Sequence, residues 1–363
     1  MWEPSSSGQT KQGWELKWGR DAPIKWDISR KPPCDVYQAN FRIVPVSEVA
    51  YDKRIAQIRR YVEKNLDADV LAFQEVSGEQ AVREILPGNG AAYSLCAFSG
   101  FKVQRLVIVW KRSLGVSTDC LVDEALSLPR EIEKHQVRPG LSVTLNIDGA
   151  QLRIMTVHLK SSCVSPIEAG GANPNRGKLE GPDEACQLLH KQVAPLERWI
   201  EARATVPIVL LGDFNRNLAQ ELNSIPADRV RTDGSAAEIS ITPGAFVRSL
   251  IGEINDGVPS MSQLALLDVA CPVNPVSAEF CRRIKTQHIS QTELRPLTRS
   301  ENLGCRNPVG LDHVLISPQL ATAAPAEKVP LGRLGGTRPA SERFPDPLLA
   351  ISDHCPILAT IRF

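Results

Sequence analysis

Five clusters of acid, amide and imidazole side chains stand at the ends of apolar runs in this chain. Glu75 follows VLAFQ, and His158 closes IMTVH with Lys160 two residues beyond. Asp213 and Asn215 follow IVLLG, Asp312 opens DHVLIS, and Asp353-His354 stands in SDHCPILATIRF. A single carboxylate at a strand end is commonplace, because charged residues ordinarily lie at the surface. Five clusters in one chain point to one site assembled across a sheet. Asp213 can orient and deprotonate a water, while the Asn215 amide can bind a phosphoryl oxygen. These two occupy alternate positions, and so share a face if the chain stays extended; the competing reading is a turn, which Gly-Asp and Asn also favour. His158 and His354, with Asp312 to orient an imidazole, can stabilise the charge on a five-coordinate phosphorus or assist the leaving group. Glu75 and Asp353 are hard oxygen donors of the kind a divalent cation takes. His313 points away from Asp312 along the strand and reads as structural.

Other chemistries lack their signatures. The sequence contains no GxGxxG after a strand and no GxxxxGK[ST], so no nucleotide cofactor is expected. GxSxG and HExxH are absent as well.

The elements that must position these residues are legible in part. Ile55, Ile58, Val62 and Leu66 have helical spacing, and 79–86 forms a second helical stretch. DVLAF at 69–73, 106–110 and 141–147 read as strands. Asp148-Gly149 is a hairpin dipeptide with QLRIMTVHL as the return strand. Residues 183–203 read as an amphipathic helix with a kink at Pro195, and PIVLLGDFN as a buried strand. HVLIS and PILATIRF close the chain as two strands, with His354 starting the second. Residues 217–310 mix short segments and turn residues without a repeat. Hairpins beside helix-flanked strands imply an α/β chain of two packed sheets covered by helices. Residues 1–50 are expected to be an irregular N-terminal segment, with room for a first strand, and 51–363 one domain.

With 363 residues, 42% hydrophobic and 23% charged, the chain has the composition of a globular protein that buries a sizeable core. No run reaches the roughly 18 apolar residues of a membrane helix, and the start lacks the pattern of a secretory signal. Lys+Arg 42 against Asp+Glu 41 leaves a net charge of +1, which argues against a nucleic-acid coat protein but not against an enzyme touching a few phosphates. Nine cysteines include no CxxC pair, so a zinc ribbon is not expected. Cys163 and Cys186 bracket a loop rich in Gly, Pro and Asn, and Cys271, Cys281 and Cys305 punctuate a later one. Disulfides closing these loops, and hence an oxidising, extracytoplasmic compartment, are the expectation against free buried thiols. A monomer is expected. Lys102, Arg105, Lys111, Arg112 and Arg138 are candidates for a phosphate-binding rim, against the reading of a solvated surface set.

Taken in order, Gln74-Glu75, Val157-His158, Gly212-Asp213-Phe214-Asn215, Leu311-Asp312-His313 and Ser352-Asp353-His354 resemble the motifs of the endonuclease/exonuclease/phosphatase superfamily, the deoxyribonuclease I-like fold. The likeness spans residues 52–363; GDFN and SDH are each moderately specific, and the ordered set strongly so. It implies a four-layer α-β-β-α sandwich of two mixed sheets flanked by helices, and Mg²⁺- or Mn²⁺-dependent hydrolysis of phosphate esters. By the same resemblance Glu75 and Asp353 contact the metal, Asp213 positions the attacking water and Asn215 holds the scissile phosphate. His158 and His354 support the transition state, with Asp312 orienting one or the other. The family opens with a strand ending in a metal-binding Asn; the nearest match, Trp14-Glu15-Leu16-Lys17-Trp18, puts Glu15 there, with Asn40 as a second candidate. Lys160, Arg105 and Arg138 are the expected substrate contacts. VHLK before a cysteine-flanked loop, and SDHCP, most resemble bacterial nuclease-like members. The resemblance therefore implies an endonuclease-type enzyme acting on DNA or RNA. A phosphatase or phospholipase-like hydrolase of lipid or inositol phosphates is the second reading, and a catalytically impaired binding protein of the same fold is the third.

Overall fold

The computed structural model describes residues 2–4, 10–12, 15–18, 34–35, 42–45, 48–98, 104–166, 175–230, 237–242, 244–267, 269–271, 278–279, 282, 310–335 and 351–362. Two compact units emerge: Met1–Leu114 with Arg299–Arg306 and Val329–Pro356, and Gly115–Thr298 with Asn307–Lys328 and Ile357–Phe363.

In the first unit, β1 (Trp2–Pro4) pairs with β2 (Thr10–Gln12), and β3 (Glu15–Trp18), β4 (Cys34–Asp35) and β5 (Arg42–Pro45) form a three-stranded sheet in the order β3-β5-β4. Glu15 thus opens a strand, whereas Asn40 and Lys102 lie outside the described residues. Helix α1 (Glu48–Asn65) carries Glu48 in its first turn and Lys64 in its last, matching the helix dipole. Strands β6 (Val70–Val76), β7 (Tyr93–Ala97) and β8 (Arg105–Lys111) form an antiparallel sheet in the order β6-β8-β7, with α2 (Glu79–Ile85) between β6 and β7 in sequence. The central strand β8 buries five consecutive residues, Leu106 to Trp110, because it is covered on both faces. Val107 and Val109 pack with Val62 of α1 and Val82 of α2.

The second unit is built on a six-stranded mixed sheet. Strands β9 (Val116–Asp123), β10 (Gly140–Ile147) and β11 (Ala150–His158) form a meander, and the Asp148-Gly149 turn has the positive φ angles, 50° and 90°, of a tight hairpin. From β11 the chain crosses over through α3 (Glu184–Arg203) to β12 (Ile208–Asp213), which lies parallel to β11. Asp183 caps α3 by accepting from the Ala185 and Cys186 amides, and the helix continues through Pro195. Its apolar stripe, Leu189, Val193, Leu196, Trp199 and Ile200, packs on Met155, Val157 and Leu210 of the sheet. Beyond β12 come α4 (Leu218–Leu222), the hairpin β13 (Glu238–Thr242) and β14 (Ala245–Arg248), and α5 (Leu250–Glu253). Strands β15 (Ala265–Leu266) and β16 (Asp312–Ile316) complete the order β15-β16-β12-β11-β10-β9. Finally β17 (Ala321–Thr322) and β18 (Glu327–Lys328) pair with β20 (Ile361–Arg362) and β19 (Ile357–Leu358).

The C-terminal run is therefore two short strands with different partners, not one, and His354 precedes the first of them by three residues. The disulfide Cys163–Cys186 is formed and buried, closing its loop onto the start of α3. Cys96, Cys120, Cys271 and Cys355 are also disulfide-bonded, while Cys281 and Cys305 fall outside the described residues.

One glycine controls how closely β11 and β12 approach. Gly212 has φ +139°, and a β-carbon there would stand 2.1 Å from the Val157 carbonyl oxygen. Both terms penalise any side chain, so Gly212→Ala is expected to cost about 3 kcal/mol, measured as a lowered urea midpoint at unchanged m-value.

Candidate active site

Strand register in the second unit brings the site residues level. His158 pairs with Asp213 across β11 and β12, and Asp213 pairs with Asp312 across β12 and β16. Apolar strand interiors bury themselves against α3, so these three polar residues come to the ends of neighbouring strands. His158 and Asp213 are buried and Asp312 is half-buried. His158 Nε2 lies 3.5 Å from Asp213 Oδ2, an ion-pair distance when the imidazole is protonated.

Of the two readings open for Asn215, extended or turn, the chain takes the turn. The strand ends at Asp213, and Asn215 has φ 52°, in the left-handed region that Asn tolerates. Its backbone amide donates to Asp213 Oδ1 at 2.7 Å, closing an Asx turn. Its side-chain Nδ2 donates to Asp213 Oδ2 and to the Leu159 carbonyl, both at 3.0 Å. The turn and the site are the same object: Asn215 fixes the Asp213 carboxylate with two hydrogen bonds.

Behind this turn is a buried polar scaffold without a sequence signature. Arg216, fully buried, pairs through Nε with the Glu221 carboxylate and donates from Nη1 to the Gly177 carbonyl at 2.8 Å and the Cys163 carbonyl at 3.0 Å. Glu221 Oε2 also accepts from Ser249 Oγ at 3.0 Å and the Ile251 amide at 3.2 Å. The only local hint was two polar residues, Arg216 and Asn217, directly after GDFN. His313 is structural, as expected. Its Nε2 lies 2.8 Å from the Arg216 carbonyl, and its ring meets Phe214 edge-on at 5.8 Å.

Burial pushes the His313 imidazole down to about 4, so it is neutral in the fold. The unfolded chain takes up this proton near the ordinary value of about 6.5. Stability is therefore fully present above that value and is lost as pH falls towards 4, by about 3 kcal/mol. Thermal melts of wild type and His313→Gln should differ in slope within that window: the variant lacks this component of acid destabilisation.

Of the basic residues, Lys160 is half-buried; burial, and then repulsion from Arg138, push its ammonium down. Its Nζ donates to the Ser161 carbonyl at 2.9 Å, and its amide donates to Gln192 Oε1 at 2.8 Å. Arg138 is buried, two residues before β10. Lys160 and Arg138 thus place positive charge just past the end of β11.

The remaining candidates belong to the first unit. A bulge between Phe73 and Val76 breaks the β6 ladder, and Glu75 takes φ 56°, which re-aims its exposed carboxylate. Gln104 Nε2 donates to Glu75 Oε1 at 3.0 Å, and Arg105 Nη1 donates to the Ser77 carbonyl at 3.2 Å. Asp353 and His354 follow Ser352, which bridges to Gly335, and the His354 amide donates to Ser352 Oγ at 3.0 Å. Lys111 and Arg112 do not share a rim with Arg105. They lie at the other end of β8, about 20 Å along the strand, where Lys111 pairs with Asp67 and Asp69 and Arg112 donates to the Tyr93 carbonyl.

Glu75 and Asp353 offer carboxylate oxygens suited to a hard cation, and Glu15 opens β3 in the same unit. A separate acidic group, Glu197, Glu201 and Asp256, brings carboxylate oxygens within 4.8 Å of one another. Burial first, then repulsion from Asp256, pushes the Glu197 carboxyl up to about 7. Among the described residues no helix is long and apolar enough to cross a membrane.

Residues 39–354 match the profile of the Endonuclease/Exonuclease/phosphatase family. A comparison with curated protein sequences gives no match. Among solved structures, the chain is similar to ANGEL2, a 2′,3′-cyclic phosphatase, in complex with adenosine-2′,3′-vanadate, at 17% identity and TM-score 0.49, covering 87% of this chain and 88% of that one. It is similar to the 3′ phosphatase NExo from Neisseria bound to product DNA hairpin, at 18% identity and TM-score 0.41, covering 85% and 95%. A third likeness is to TDP2 of D. rerio complexed with single strand DNA product, at 13% identity and TM-score 0.44, covering 86% and 92%.

Proposed function

The chain belongs to the endonuclease/exonuclease/phosphatase family, and from that premise we propose that it is a divalent-metal-dependent phosphodiester hydrolase that cleaves DNA or RNA internally. The observation carrying this reading is the row His158, Asp213 and Asp312 at one level across three neighbouring strands.

Asp213 is the base that takes a proton from the attacking water. Its carboxylate needs a fixed direction, and the two Asn215 hydrogen bonds supply it. His158, beside Asp213, carries positive charge towards the phosphoryl oxygens as they gain negative charge. His354 serves the same purpose from its own segment. Asp312 holds an imidazole in orientation, and Lys160, Arg138 and Arg105 attract the substrate's phosphates. Glu75 and Asp353, with Glu15, are the residues that would hold Mg²⁺ or Mn²⁺. The ion would polarise the phosphoryl oxygen and offset charge at the leaving group.

The test is nicking of supercoiled plasmid, alongside a panel of single-stranded RNA, inositol phosphates and sphingomyelin. With Mg²⁺ the protein should convert plasmid to open circles, and EDTA should abolish this. Release of phosphate from the inositol phosphates, or cleavage of sphingomyelin, without nicking of nucleic acid would move the assignment to the second reading. Nucleic-acid binding with no hydrolysis of any substrate would favour the third, with Glu15 standing where the family has Asn.

A further inference from the structure

Lys328 carries a charge where charge is costly. It is the second residue of the short strand β18, only 9% exposed, and nothing in the surrounding EKVP marks it. A buried ammonium persists only beside compensating negative charge. Its ammonium lies beside Gly310, at the turn into β16. A β-carbon on Gly310 would stand 3.2 Å from Lys328 Nζ and 3.2 Å from the Asp312 carbonyl oxygen. The ammonium therefore reaches the turn from which Asp312 projects, and the absence of a side chain at residue 310 makes room for it.

The charges around it are arranged in one sense. Asp213 and Asp312 are register partners, with carboxylate oxygens within 4.8 Å of each other. Two carboxylates so close, one buried and one half-buried, repel each other when both are ionised, and a cation beside them offsets that repulsion. Lys328 is within electrostatic reach of both: burial pushes its ammonium down, while Asp312 and then Asp213 pull it back up. Among the described residues of this unit, the titratable neighbours also include His313 on β16, which is neutral, and His158 on β11. The partner strand β19 contributes Ile357 and Leu358, which are apolar.

We propose that Lys328 is a positioning residue of the hydrolytic site: its buried ammonium offsets the paired charge of Asp213 and Asp312 and so keeps Asp213 ionised as the base. The inference rests on the hydrolase reading given above for the activity part of its test, and on charge alone for the stability part.

Three variants decide it: Lys328→Met, Lys328→Arg and Lys328→Met with Asp312→Asn. Hydrolysis by Lys328→Met should fall by about 30-fold or more in kcat with KM within about threefold of wild type, the pattern of an interaction used in the transition state rather than in binding. Lys328→Arg, which keeps the charge, should recover to within about fivefold of wild type. In thermal melts Lys328→Met should lose stability, and adding Asp312→Asn should restore most of the loss, because the unopposed charge is gone. Activity of Lys328→Met within threefold of wild type, no recovery in Lys328→Arg, or additive melting shifts in the double variant would each overturn the role. If wild type hydrolyses nothing, the hydrolase reading fails by itself. The melting cycle still decides whether Lys328 balances the two carboxylates.

Discussion

Asp213→Ala is expected to lower kcat/KM for phosphodiester hydrolysis by roughly 10³ to 10⁴, because it removes the proposed base, a carboxylate that both His158 and Asn215 address. The fold should survive the change. Asp213 is the last residue of β12, and the strand's apolar residues, not its end, pack against α3. Asn215→Ala should produce a smaller loss of roughly 10- to 100-fold, since the carboxylate remains but loses the side-chain hydrogen bond that aims it. Steady-state kinetics on a short oligonucleotide, with circular dichroism to confirm folding, checks both. An Asn215 variant as damaged as Asp213→Ala would show that the amide does more than aim the carboxylate.

The second large effect is on stability. Arg216→Met should destabilise the protein by about 3 to 5 kcal/mol, because it leaves the Glu221 carboxylate buried without its cation. The Gly177 and Cys163 carbonyls lose their donor at the same time. Replacing both partners, Arg216→Met with Glu221→Leu, should recover much of the loss, since a buried apolar pair carries no desolvation penalty. Urea titration of the two variants and wild type measures this. A double variant no more stable than the single one would mean that the pair is held for its hydrogen bonds and not its charges. Activity should fall along with stability, because Arg216 follows Asn215 directly and its carbonyl anchors His313.

How much of this could be read in the residues alone depended on whether a position was set locally. The strands ending in His158, Asp213 and Asp312 announce themselves as apolar runs, and the Asp148-Gly149 hairpin fixes the β10–β11 register through turn geometry. The Cys163–Cys186 bridge was legible because both cysteines flank one loop. The residues alone leave Asn215 open between an extended position and a turn, because alternation says nothing about where a strand stops; the positive φ that forms the Asx turn is a backbone choice made by the hydrogen bonds to Asp213. The polar edge strand β9, the two-residue strand β18 and the break between β19 and β20 are not legible in the residues for a different reason. Their pairing is set by partners elsewhere in the chain, and a two-residue strand has no period. Lys328 and Arg216 are legible only from the acids they meet. A buried charge leaves no trace in composition, and its compensation is decided by tertiary contact.

Hydrolysis in water carrying heavy oxygen tests most directly the claim that this site attacks phosphorus with water. The account predicts one labelled oxygen in the phosphate-bearing product for each bond cleaved, dependent on added Mg²⁺ or Mn²⁺ and lost in Asp213→Ala. Label appearing in the hydroxyl-bearing product, or cleavage that persists with all divalent cations chelated, would contradict it.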